Sequence, residues 1–247
     1  MSAFFTLWRR EIAAYFLSPI AYVMMMFFLV IMGFSFWLLA NVLAQGVEGV
    51  PLMRELFDSF FFWITTLTLV PVLTMRLFAE EKRSGTIEML MTAPVSDTAV
   101  VLAKYLGAVS FYIAIWAPTA LYVVILRSFS AGTPLDLGPI ASSYLGALLV
   151  GAFYLAIGLF CSAMTRNQIV AAIVCFALLC VLFFGGFIAF ISRVEGVRET
   201  ANYFCSLAHM REFARGAVDS RPVVFYLSGA ALMLFATVKL VESRKWK

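Results

Sequence analysis

The residues with the most chemistry to offer lie in one run, Glu80 to Val95, reading EEKRSGTIEMLMTAPV. It packs three carboxylates and two cations into nine positions of a chain that is only 13% charged. Its local chemistry predicts a helix, a turn and a second helix. Glu80 to Arg83 continue the helix before them, and Ser84-Gly85 breaks it. Thr86 is placed to cap a short helix through Met91, which Pro94 stops. On that helix Ile87, Leu90 and Met91 fall on one side, while Glu80, Glu81, Ser84 and Glu88 fall on the other. The expected product is an amphipathic handle with its acids displayed; an ordinary solvated loop is the alternative.

Elsewhere the means for catalysis are missing. No Gly-x-x-x-x-Gly-Lys-Ser/Thr occurs, so the chain has no phosphate-cradling P-loop. His209 is the one histidine, and Cys161, Cys175, Cys180 and Cys205 form no Cys-x-x-Cys pair, so ligands for zinc or haem are lacking. Intramembrane proteases need paired carboxylates, a Ser-His pair or metal ligands within spans, and none is visible. The expectation is no enzyme, no metal and no cofactor in this chain.

The elements around the run are apolar to a degree that decides the class. Hydrophobic residues make up 63% of the chain and the mean hydropathy is +0.97. A soluble chain this apolar could not cover its surface, whereas a bilayer solvates apolar faces directly. The length of 247 residues fits one domain. About six runs reach the ~20 residues that a membrane helix needs. They fall near 20–43, 57–77, 98–126, 140–164, 168–191 and 222–241. The fold class expected is therefore all-α, a polytopic membrane protein. Pro71 predicts a kink in the second span, and Ser96-Asp97 an N-cap for the third.

Residues 1–18 differ from the spans. Phe4, Leu7, Trp8, Ile12 and Tyr15 recur at helical spacing, with Arg9, Arg10 and Glu11 between them. That pattern predicts a helix lying at the membrane interface. Residues 192–221 are polar and amphipathic and lead into the last span. In the fourth span, Ala147, Gly151, Gly158 and Ser162 form a small-residue stripe, read as packing within the chain rather than as a dimer contact. The aromatic residues of the first two spans, Phe27, Phe28, Phe34, Phe36, Trp37 and Phe60 to Trp63, fit lipid contact better than an amphiphilic cargo.

Six spans put both termini on one side. That side collects Arg9, Arg10, Arg76, Lys82, Arg83, Lys104, Arg166, Lys239, Arg244, Lys245 and Lys247. The other collects Arg54, Arg127, Arg193, Arg198, Arg211, Arg215 and Arg221. The larger share marks the cytoplasmic face, so both termini are expected there. The net charge of +4 reflects this bias; no nucleic-acid partner is expected. No ionisable residue lies at the centre of a span, which weakens ion-coupled transport and charged-ring pores. Energy for any transport is expected from another chain.

The run Glu80-Glu81-Lys82-Arg83-Ser84-Gly85-Thr86-Ile87-Glu88, followed by Leu90, Thr92-Ala93-Pro94 and Lys104, closely resembles the signature of type-2 ABC-transporter permeases. The resemblance extends over the interfacial helix, the spans and the outer segment. There Phe213-Ala214-Arg215-Gly216-Ala217-Val218-Asp219 looks like the gliding-motility-type branch of that family. The resemblance implies a bacterial inner-membrane exporter permease that forms its path as a dimer, with a second copy or a related permease. It implies a separate ATPase subunit, holding ATP and magnesium, seated on a coupling helix. Glu80, Glu81, Arg83 and Glu88 would make the charged contacts, Gly85 the tight turn, and Ile87 and Leu90 the buried anchor, in a coupling segment that also takes in Thr86, the helix cap, and Pro94, its stop. Within an outer re-entrant segment, 192–221, residues 200–221 would form a short half-inserted helical hairpin acting as a gate, with Phe213, Arg215, Gly216 and Asp219 in it. Arg215 and Asp219, four apart, are spaced to pair on one helical face. An accessory subunit with an outer domain fits the same pattern. A complex that transmits force and moves no cargo, or an assembly scaffold, would look identical at this level.

Overall fold

The computed structural model describes residues 3–44, 52–86, 95–129, 136–191 and 195–243. Ile87, Glu88, Leu90 and Pro94, expected to contact an ATPase, lie outside them. Among the described residues there is no strand, and six helices are long and apolar enough to cross a membrane. The chain is an all-α, multi-pass membrane protein.

An amphipathic helix, α1 (Ala3–Phe16), precedes the first span, α2 (Pro19–Ala44). A short helix α3 (Leu52–Asp58) leads into α4 (Phe60–Thr74), and α5 (Ala79–Ser84) follows after a turn. The third span is α6 (Asp97–Trp116), a 3-10 turn at Ala117–Thr119 and α7 (Ala120–Phe129). Then come α8 (Leu137–Met164) and α9 (Gln168–Ile191), two short helices α10 (Glu195–Phe204) and α11 (Ser206–Ala214), and the last span α12 (Ser220–Glu242).

Helices α8 and α4 are the most buried spans, and α9 and α12 the least. Small residues explain why α8 holds the centre. A Cβ on Gly151 would stand 2.2 Å from the Tyr112 ring of α6, and one on Gly158 would stand 2.2 Å from Thr74 Oγ1 of α4. Ala147 and Ser162 are buried as well, so the stripe on this span packs within the chain, as expected.

Three features depart from the expectations. The connection 44–56 contains α3, whose Leu56 and Phe57 are fully buried. Phe57 stacks on Trp116 at 5.7 Å, where Phe28 meets the same indole at 4.8 Å. The third span is interrupted by the 3-10 turn around Pro118, which lacks the N–H that a continuous helix needs. Thr119 Oγ1 donates to the Trp116 carbonyl at 2.7 Å within that turn. Finally, the second span does not run straight into Glu80. Residues Met75 to Phe78 form a turn, and α5 starts anew.

The aromatic residues of the first two spans divide. Trp37 and Phe60 are 61% and 70% exposed, whereas Phe28, Phe62 and Trp63 lie in the core.

Candidate functional site

The turn before α5 places polar backbone groups deep in the protein, and one side chain satisfies them. Ser162 Oγ of α8 accepts from the Phe78 and Ala79 amides at 3.1 and 3.2 Å and donates to the Met75 carbonyl at 3.0 Å. Buried backbone groups left unpaired would be costly, so this hydroxyl is what allows the chain to turn here. Lys82, itself buried, donates its ammonium to the carbonyl of Ala163 in the last turn of α8. A cation at that helix end also meets the negative pole of the helix dipole.

Two of the acids in the run therefore part company. Glu80 is exposed with Arg83, Ser84, Gly85 and Thr86. Glu81, expected on the same displayed face as Glu80 and Glu88, turns inward instead. Its Oε1 accepts from Lys104 Nζ of α6 at 2.7 Å. Lys104 is 2% exposed and also donates to Glu11 Oε1 of α1 at 3.2 Å. The same ammonium lies 5.4 Å above the Phe78 ring. Arg10 completes the group, bonding Glu11 at 3.0 Å and lying 3.9 Å from Glu81. One buried lysine thus ties together three elements: α1, α5 and the third span. Such a charge has to be paired in the interior, and here it has two carboxylates.

The approach of α1 to α6 depends on Gly107. A Cβ there would stand 2.8 Å from Glu11 Cβ, so only glycine admits Glu11 to Lys104. Tyr15 adds a second clasp, donating from its hydroxyl to the Leu73 carbonyl at 2.9 Å and stacking on Phe111 at 5.0 Å. Burial pushes the Tyr15 phenol up, and the nearby Glu11 carboxylate adds to the shift while Arg76 opposes it. It stays a neutral donor at any physiological pH.

Gly85 ends α5 in the left-handed region, at φ +74. No atom lies within 4 Å of its notional Cβ, so the backbone angle and not space requires glycine. Thr86 Oγ1 lies 2.9 Å from Ser84 Oγ. The turn expected at Ser84-Gly85 is present, and it delivers the chain to solvent at Thr86.

At the opposite end, α10 packs on α9, and α11 packs on α8 and α3. Phe213 is fully buried against Gly146 of α8, and its carbonyl accepts from Ser142 Oγ at 2.6 Å. Arg215 caps the end of α11, Gly216 turns the chain at φ +83, and Asp219 caps α12 through the Arg221 amide at 3.1 Å. Arg215 and Asp219 therefore share no helical face and form no ion pair, because α11 has already ended at Ala214. Arg211 instead bonds Asp58 of α3 at 2.9 Å. His209, which carried no expected role, is buried against Tyr226, with Nδ1 and the phenol oxygen 3.1 Å apart. Burial lowers its pKa, so it sits there as neutral imidazole.

The participants that sequence reasoning passed over are Glu11, Ser162 and Gly107. Lys104 did carry a signal: a lone cation within an apolar span implies a partner. Among the described residues no group of three or more His, Cys, Asp or Glu is arranged to hold a metal ion.

No curated protein matches the sequence. The family profile described as ABC-2 family transporter protein matches residues 54–208, well over half of the chain. The match runs from α3 through the turn at Met75–Phe78, the handle, Lys104 and Ser162 into α11. The chain belongs to the ABC-2 family of transporter proteins, as a membrane-spanning permease component.

Proposed function

We propose that this chain is the permease of a bacterial ABC exporter, of the gliding-motility-type branch, and that it works as a dimer driven by a separate ATPase subunit. The observation that carries the reading is the seating of the handle. Glu80, Arg83, Gly85 and Thr86 are exposed, while Lys82 and the backbone at Phe78 are fastened to α8, and Glu81 to Lys104 of α6, which also holds Glu11 of α1. A docking handle that must pass force to the spans needs both properties, since packed helices shift as units.

In this reading the ATPase grips Glu80, Arg83 and Glu88, and Ile87 and Leu90 fill a groove on its surface. ATP and magnesium stay on that subunit. Closure of two ATPase subunits drives two handles together, and the Lys104 cluster carries the displacement to the third span and to the interfacial helix. The two short outer helices, α10 and α11, close the far end of the path, with Phe213 as their anchor and Arg215, Gly216 and Asp219 at the turn into α12. Both termini face the cytoplasm of the inner membrane.

The test is capture of the candidate ATPase by the tagged chain from membranes holding both. Wild type is expected to retain the ATPase, and a Glu80→Ala/Arg83→Ala variant that inserts normally is expected to lose most of it. Equal capture by the two would remove these side chains from the interface.

A further inference from the structure

We propose that the cleft between α1 and the end of α4 is a binding site for one phospholipid, with its phosphate on Arg76. The cleft encloses about 380 Å3, a volume in the range of small-ligand sites. Its lining combines two chemistries. Ala14, Ile20, Ala21, Val72, Leu73 and Leu77 are apolar. Arg76 and Ser18, with Arg10 and Glu80, supply polar and charged groups among them. Lys104, Glu11 and Glu81 also line it, and with Arg10 they form a group of two cations and two carboxylates that carries no net charge.

Arg76 stands apart from that cluster. Among the described residues its guanidinium makes one hydrogen bond, to Ser18 Oγ at 3.3 Å, and no ion pair. Its Nε is buried with no hydrogen-bond partner. Buried donors of this kind are normally satisfied, and the planar guanidinium fits a phosphate through two parallel bonds. The apolar wall identifies the rest of the ligand. Ile20 belongs to that lining and to the start of the first span, where Ile20, Tyr22 and Val23 are 39%, 52% and 64% exposed. That surface meets bilayer lipid, so an acyl chain can lie along it while the phosphate reaches Arg76. Glu80 in the same lining favours a headgroup that bears an ammonium. The inference depends on the chain's membrane placement and not on which cargo or ATPase it serves.

Phosphatidylethanolamine is the probe. The purified full chain is loaded in mixed micelles, washed with lipid-free detergent, and the retained phospholipid is counted by mass spectrometry. Wild type and R9Q, which changes an exposed arginine outside the cleft, are expected to retain it equally. R76Q, which removes the phosphate ligand, and A14W, which fills the cleft from an exposed position, are expected to retain at least tenfold less. Wild-type retention in either variant overturns the site, and A14W alone decides if R76Q does not fold. Displacement of the lipid by millimolar inorganic phosphate would assign the cleft to a soluble anion and overturn the proposal equally.

Discussion

At the scale of single residues, the account turns on which charges are buried. Lys104 is 3% exposed at its side chain, and its partners Glu11 and Glu81 are 10% and 21% exposed. Removing one member of such a group leaves the others uncompensated, which typically costs about 3–5 kcal/mol. Lys104→Ala is therefore expected to lower the chain's melting temperature sharply in detergent, measured by thermal scanning with size exclusion. Arg211 and Asp58 supply the contrast. Arg211 is 52% exposed, so Arg211→Ala should change stability by about 1 kcal/mol at most in the same scan. Ser162→Ala deletes no charge, yet it strips partners from two buried amides and a carbonyl, an expected loss of about 1–3 kcal/mol. None of this ranking can be read from residue type. Glu80 and Glu81 are neighbours in the sequence, and only the turn at Met75–Phe78 decides that one faces solvent and the other Lys104.

At the scale of elements, the spans were legible because about 20 apolar residues in a row admit little else. The fifth span, expected near 168–191, is Gln168–Ile191, and the Ser96 cap expected for the third accepts from the Ala99 amide. The short pieces were not legible. Helix α3 has seven residues, and its burial depends on Trp116 and Tyr144 far along the chain. The break before α5 depends on Ser162, which lies 84 residues beyond Phe78. The spacing of Arg215 and Asp219 suggested a shared helix that the positive φ of Gly216 rules out.

Helix α11 offers a pH test. His209 is held neutral below its ordinary pKa of 6.5 by burial. The displaced α11 takes up a proton below that value and the docked form resists it, so docking is fully stable above about pH 6.5 and weakens as pH falls through the lowered pKa. The protection factor of the amides in 206–214, the exchange rate referred to the intrinsic rate at each pH, should fall between pH 7.5 and 5.5 in wild type and stay flat in His209→Phe. The handle offers a backbone test. Gly85→Ala forces a Cβ into a left-handed turn at a cost of about 1–2 kcal/mol, and Gly85→Asn should recover part of the loss. ATPase capture is the readout.

At the scale of the whole molecule, two clusters lie at opposite ends of one helix. Ser162 and Ala163 near the end of α8 hold the handle, and Ser142 and Gly146 near its start hold Phe213. Between them Gly151 and Gly158 lock α8 against α6 and α4 without room for a methyl group. A rod packed this tightly transmits displacement and does not absorb it. That gives the proposed mechanism its physical content: force applied at the handle would reach α10 and α11 through α8. The first link of that mechanism is contact between the handle and an ATPase at the end of the bundle that bears Glu80. A photo-crosslinking residue at Thr86, compared with one at exposed Glu212 at the far end, tests the contact directly in membranes containing both subunits. The account predicts a covalent adduct with the ATPase from position 86 and none from position 212. An adduct from position 212, or none from either in membranes where the two proteins co-purify, would contradict it.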